Sequence, residues 1–218
     1  MTRATRGQFI TFEGGEGTGK STQIQRAAAY LRAKNVPVEV VREPGSTPEG
    51  EALRNLWNNP STTASWEPLT EALLLFAARR TLLCRIIWPH LQQGTWVLCD
   101  RFYDSTLVYQ GVLGGVDIEK LMQLKYLIME DFEPDLTLLF DMPAQLALRR
   151  ISKRQDIQHD GVIRYDTMAL QLHEKIRQAY LQLADIFSFR ARIVKARASA
   201  DIVEQAVCTL LETHKETL

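Results

Sequence analysis

The octapeptide Gly14-Gly15-Glu16-Gly17-Thr18-Gly19-Lys20-Ser21 has the residue types and spacing that hold a polyphosphate. Its glycines let backbone N–H groups close around phosphate oxygens, Lys20 can reach the β and γ phosphates, and the Ser21 hydroxyl can ligate Mg²⁺ beside a helix N-terminus. The stretch from Gly14 to Thr22 is therefore the predicted ATP-binding loop. A P-loop names a ligand and not a reaction, so the remaining residues must show what receives the phosphoryl group.

Asp100 follows the apolar run Trp96-Val97-Leu98-Cys99, the place where P-loop NTPases carry an acidic residue that supports Mg²⁺. Ser21 and Asp100 are the metal candidates. Arg101 adds a guanidinium fork able to hold a second phosphate, or to pair with Asp100 itself. Arg79 and Arg80 interrupt the apolar face of a long helix-patterned stretch, which places one of them toward solvent and lets the other point into a cleft. Arg149, Arg150, Lys153 and Arg154 form two like-charged i,i+4 pairs, which either cover a docked anion or make up a solvated basic face; Arg164 can join them.

Strand-like runs at 8–12, 37–42, 95–99, 135–140 and 192–195 alternate with helix-patterned segments, the signature of a parallel α/β sheet covered on both faces. The second run ends in Arg42-Glu43-Pro44-Gly45 and the third in Asp100-Arg101, at the carboxyl strand ends where such sheets bind ligands. About fifty residues lie between these two runs and read as two helices, near 48–58 and 66–92, enough to cover a second substrate. Asp117 is placed to cap a helix reaching about Glu130, Pro143 suits the first turn of another, and Ile202, Val203, Ala206, Val207, Leu210 and Leu211 give the last helix an apolar stripe. The polar stretch 155–163 reads as a mobile loop.

With 218 residues, 45% of them hydrophobic, the chain is long enough to bury about 70% of its unfolded surface. Its 26 basic and 26 acidic residues cancel, so no overall field argues for a nucleic acid or membrane partner. Cys84, Cys99 and Cys208 have no paired Cys-x-x-Cys spacing and are expected to be buried thiols in a reducing cytoplasm, without zinc or disulfides.

Taken together, these residues resemble the thymidylate kinase family of nucleoside monophosphate kinases. The likeness runs from Gln8 to about Phe187. It is carried by the P-loop with its Glu16, Arg42-Glu43-Pro44-Gly45, Phe76-Ala77-Ala78-Arg79, Asp100-Arg101-Phe102, and Ser105-Thr106 with Tyr109-Gln110-Gly111. The resemblance implies an α/β, P-loop NTPase fold with a five-stranded parallel sheet flanked by helices. It also implies one domain, with a nucleotide-binding insert at about 44–92 and a lid at about 149–165. Glu16 would lie near the sugar 3′-hydroxyl of dTMP, Arg79 would contact the thymine and Arg101 would grip the acceptor phosphate. Ser105, Thr106, Tyr109 and Gln110 would line base and sugar, with Arg42, Pro44 and Phe76 completing the dTMP site.

Bacterial members of this type lack a P-loop base and supply lid arginines; Gly17 fits that type, and Arg150 and Arg154 fall at the matching positions, so both join Lys20 and Arg101 as catalytic candidates. Two positions depart from the family pattern. Leu75 stands where an aromatic residue often stacks on thymine, so that either Phe76 takes over or the base lies on an aliphatic surface, and Ile163-Arg164 replaces an Asp-Arg pair. The implied activity is Mg²⁺-dependent transfer from ATP to dTMP by a cytoplasmic homodimer with no nucleic acid or membrane partner. Two competing readings are a kinase for another nucleotide or nucleoside, and a P-loop ATP-binding switch with no small acceptor.

Overall fold

A computed structural model describes residues 6–58, 66–157 and 170–216, side chains beyond Lys153 in the second stretch excepted. Five parallel strands, β1 (Phe9–Glu13), β2 (Val38–Arg42), β3 (Trp96–Asp100), β4 (Leu136–Asp141) and β5 (Ala191–Lys195), form one sheet in the order β2-β3-β1-β4-β5. Each predicted strand is present, shifted by no more than a residue. Because β1 lies in the middle, its carboxyl end opens between β3 and β4, with Phe12 level with Asp100 and with Leu138. The P-loop and the Asp100-Arg101 pair therefore leave adjacent strands side by side.

Side chains alternate across a strand, and both faces of β1 are buried. Ile10 and Phe12 face a core built with α1 (Lys20–Ala33) and α9 (Ala200–Glu216). Phe9 faces the opposite core, shared with Val97 and Cys99 and with α3 (Pro68–Leu82) and α6 (Ile118–Met129). Thr11 is kept in the sheet by a buried hydroxyl contact with Thr137 at 2.7 Å. The stripe on α9 is narrower than the sequence pattern: Val203, Val207 and Leu211 are buried, while Ile202 and Ala206 are exposed. The helix packs against α1 and the edge strand β5, which cover Val203, Val207 and Leu211 and leave Leu210 only partly buried. Cys84 is exposed, against the expectation of buried thiols; Cys99 is buried and Cys208 half-buried.

The insert begins with α2 (Pro48–Asn58) and continues in α3, whose first turn is capped by the Glu67 carboxylate accepting from Thr70 N–H. The reading of 66–92 as a single helix is interrupted. A π-helical turn at Leu83–Ile87 joins α3 to the short α4 (Trp88–Gln92). Pro89 has no N–H to give to the carbonyl four residues back and its ring would clash there, so the widened turn lets the chain pass. After β3 comes the short α5 (Tyr103–Thr106) and a second π-helical turn, Leu107–Leu113. Asp117 caps α6 as expected, accepting from Glu119 N–H at 2.8 Å. The remaining helices are α7 (Ala144–Ile157), which begins directly after Pro143, and α8 (Leu170–Ile186). None of the described helices is long and apolar enough to cross a membrane.

Candidate active site

The loop between β1 and α1 bends through positive φ at Gly14, Gly17 and Gly19. A Cβ at Gly14 would sit 2.6 Å from the Phe140 carbonyl oxygen, and one at Gly17 would sit 2.5 Å from that of Ala147. The loop thus packs against β4 on one side and α7 on the other. Thr18 Oγ1 donates to the Gly15 carbonyl at 2.9 Å, and Lys20 Nζ donates to the carbonyls of Gly14 and Gly15 at 2.8 and 2.7 Å. Burial and the nearby Arg101 push the Lys20 ammonium down to about 8, against the pull of Asp100, Glu16 and Glu13.

Ser21 and Thr22 open α1 at its exposed end. Ser21 Oγ donates to Asp100 Oδ2 at 3.1 Å, so the two metal candidates meet although 79 residues separate them. Both offer hard oxygen atoms, the chemistry Mg²⁺ prefers. Among the described residues no group of three or more His, Cys, Asp or Glu is arranged for a metal, so this pair would hold Mg²⁺ only together with phosphate oxygens and water.

Arg101 does not pair with Asp100. It stands at φ 67, directly after β3, and its guanidinium turns back across the P-loop. Nη2 donates to Glu16 Oε1 at 2.8 Å, and Nη1 donates to Ser105 Oγ at 3.1 Å and Tyr180 Oη at 2.9 Å. Glu16 Oε1 also accepts from Tyr109 Oη at 2.6 Å. Burial works against the charge on Glu16, but Arg101 and Lys20, with the Tyr109 hydrogen bond, more than offset it and hold its pKa below the usual range. Beneath this cluster Glu13 accepts from Phe102 N–H and Ser105 Oγ, both at 2.7 Å; burial and then the charge of Asp104 push its carboxyl up to about 7.

The end of β2 and the insert form the other wall. Arg42 is clamped by both carboxylate oxygens of Glu51, at 3.0 and 2.9 Å, and the Pro44 carbonyl accepts from Arg54 Nη1 at 3.1 Å. Of the two helix arginines, Arg80 is exposed and donates to the Ile128 carbonyl at the end of α6. Arg79 is 2% exposed. Its Nε donates to Glu43 Oε2 at 2.7 Å and its Nη2 to Thr106 Oγ1 at 3.1 Å, while its guanidinium lies 4.7 Å from the Phe76 ring centre. Burial pushes the Glu43 carboxyl up to about 7 even against Arg79.

One cleft of about 600 Å³ runs from Gly17–Thr22, past Asp100 and Arg101, to Arg42, Arg79, Thr106, Tyr109 and Gln110. Arg150 closes it from α7, exposed and donating to the Ala198 carbonyl at 3.3 Å. Phe76 is a correction to the sequence reading: it is buried beneath Arg79, and Leu75 takes its place in the cleft wall, so the surface offered to a ligand there is aliphatic. Gly14 and Gly15 also stand behind the cleft rather than in its wall. The Arg154 side chain, Arg164 and residues 158–163 lie outside the described residues, and the stretch 155–163 read as a mobile loop is corrected at its start, since 155–157 continue α7. Sequence reasoning missed Glu13, Arg54, Glu71 and Tyr180. The position of Glu13 at the end of the strand that feeds the P-loop was a usable signal, whereas nothing in the sequence links Tyr180 to Arg101.

A parallel sheet of this order, with a P-loop on its central strand and Arg42, Arg54, Arg79 and Arg101 along the rest of the same cleft, is the architecture of a P-loop phosphotransferase. The family model for thymidylate kinase matches residues 12–207. A thymidylate kinase of Caulobacter vibrioides is 42% identical over 203 residues, 93% of this chain and 95% of that protein; one of Syntrophus aciditrophicus is 41% identical over 212 residues, 95% of each. The crystal structure of thymidylate kinase from Ehrlichia chaffeensis superposes with a TM-score of 0.75 at 30% identity, covering 94% of this chain and 99% of that one. The chain belongs to the thymidylate kinase family.

Proposed function

We propose that this chain transfers the γ-phosphoryl group of Mg-ATP to dTMP, yielding dTDP and ADP. The observation that carries this reading is the single cleft joining the P-loop to Arg101, Arg79 and Gln110, so that donor and acceptor phosphates can meet over one wall. The acceptor oxygen belongs to a phosphate monoester whose second pKa is about 6, so it is largely ionised at pH 7 and no general base is required. Catalysis then rests on positioning and on neutralising charge.

Arg101 aligns the attacking phosphate, and its own guanidinium is oriented by Glu16, Ser105 and Tyr180. Lys20 and Arg150 neutralise charge on the transferring group, and Arg154, in the lid assigned to about 149–165, takes the same role in this reading. Ser21 and Asp100 would hold Mg²⁺, which when bound neutralises charge on the phosphate oxygens of ATP. The insert at about 44–92 covers dTMP. Arg42, Pro44 and Arg54 border its phosphate, Glu16 and Tyr109 its sugar, and Leu75, Arg79, Thr106 and Gln110 its base, with Ser105 at the junction.

The functional unit is a homodimer formed through the apolar surface of α3 and α6, where Leu73, Tyr126 and Leu127 are exposed. A phosphoryl-transfer screen with Mg-ATP against the common nucleoside monophosphates tests the substrate. dTMP should lead, with dUMP weaker by about 10- to 200-fold for the missing methyl contact. AMP or a nucleoside outrunning dTMP would overturn the assignment.

A further inference from the structure

Besides the acceptors Glu16 Oε2, Gln23 Oε1 and Glu43 Oε1, the buried polar atoms of cleft-wall residues that have no hydrogen-bond partner among the described residues include one donor and one acceptor at the insert end, Arg79 Nη1 and Gln110 Oε1. The rest of each side chain is pinned. Arg79 is held by Glu43 and Thr106 as described, and Gln110 Nε2 donates to Glu71 Oε2 at 3.1 Å. Glu71 is 4% exposed and lies eight residues before Arg79, about two turns along α3. Helix side chains lean toward the N-terminus, so the long Arg79 reaches back toward Glu71, and both meet the same stretch, Thr106 to Gln110.

A carboxylate only accepts hydrogen bonds, so it can bind the Gln110 amide in one sense, with the NH₂ toward Glu71 and Oε1 turned away. We infer that Glu71, which does not line the cleft, sets the sense of the Gln110 amide and makes the base site select thymine over cytosine. Thymine presents an acceptor at O4 and a donor at N3–H, which complement Arg79 Nη1 and Gln110 Oε1. Cytosine presents a donor at N4 and an acceptor at N3, so both matches are reversed. With the amide free to rotate, Gln110 could offer its NH₂ to cytosine N3 instead. Glu71 is thus a positioning residue, acting through Gln110, and this rests on the dTMP reading above.

The test is Glu71→Gln, whose amide can donate as well as accept and so no longer dictates the sense of Gln110. Steady-state transfer from Mg-ATP to dTMP, dUMP and dCMP is compared with the wild type. The preference for dTMP over dCMP should fall about tenfold or more through a raised KM for dTMP, with kcat within about twofold. The ratio of dTMP to dUMP should stay at its wild-type value, because uracil presents the same edge. Glu71→Met, similar in size but with no acceptor oxygen, reads the same ratios if the first variant does not fold. An unchanged dTMP-to-dCMP preference in a folded variant overturns the inference, as does an equal loss of both ratios, which marks general loosening. Failure of the wild-type enzyme to prefer dTMP at all would fault the substrate assignment instead.

Discussion

Arg101 is a non-glycine residue in the left-handed region, a conformation that costs about 1–3 kcal/mol and is kept only where the surroundings enforce it. Here Glu16, Ser105 and Tyr180 hold the guanidinium across the loop. Arg101→Ala should weaken dTMP binding at least tenfold and leave ATP binding within about twofold, since the arginine faces the acceptor side. Separate calorimetric titrations decide it; parallel losses for both nucleotides would point to structural damage.

Lys20 makes a second case. Its pKa is lowered to about 8, so the ammonium is charged below that pH and neutral above it. ATP binding should therefore be insensitive to pH between 6.5 and 7.5 and weaken toward about tenfold per unit above pH 8, read from Kd at constant ionic strength. A flat profile to pH 9.5 would show that the free-enzyme charge of Lys20 does not govern capture of ATP.

The contact between α7 and the P-loop leaves no room for a basic side chain at position 17 of the loop. At Gly17 a Cβ would strike the Ala147 carbonyl oxygen, at a positive φ as well. The helix occupies the space a loop arginine would need. One turn on, Arg150 brings its own guanidinium within 3.9 Å of where a Gly19 Cβ would stand. Arg149 is exposed and outside the cleft wall. Arg150→Ala is expected to lower the single-turnover transfer rate by about 10²-fold or more at saturating ATP and dTMP, and Arg149→Ala by less than threefold. Equal rates for the two variants would remove α7 from the phosphoryl-transfer machinery. The two π-helical turns work in the same way, each re-aiming a segment that a regular helix would point elsewhere. The second presents Tyr109 and Gln110 to the cleft beside Thr106.

The sheet order brings four separate strand ends and residues of α1, α2, α3, α7 and α9 to one cleft, so the site depends on the assembly as a whole. The outer faces of α3 and α6 leave Leu73 half exposed, Tyr126 62% and Leu127 74% exposed, while Arg80 ties the two helices together through the Ile128 carbonyl. Such a surface is costly to hydrate and fits a two-fold partner that presents the same face. Sedimentation equilibrium should give a dimer for the wild type and a monomer for Leu127→Asp, because a carboxylate buried at the centre of that interface would be unpaired. A monomeric wild type at micromolar concentration would rule the interface out.

Much of this was readable from residue order because its causes are local. Glycines at 14, 17 and 19 followed by Lys20 and Ser21 describe a loop whose backbone geometry and helix start are set within ten residues. Strand alternation located all five strands within a residue, and Asp117 marked a helix start through its own side chain. What needed the folded chain were contacts between residues far apart in sequence. Arg101 could have paired with adjacent Asp100, and it pairs with Glu16 because β1 and β3 are neighbours and their loops emerge together. Arg79 rather than Arg80 faces the cleft because Glu43 and Thr106 approach α3 from that side. Leu75 displaces Phe76 from the wall for the same reason, since the orientation of a helix about its axis is set by what packs against it. Glu13, Glu71 and Tyr180 act on partners 39 to 167 positions away: 92 for Glu13 and Ser105, 39 for Glu71 and Gln110, and 167 for Tyr180 and Glu13. No spacing rule spans such separations, because the packing of the helices on the sheet, and no local preference, brings these side chains together.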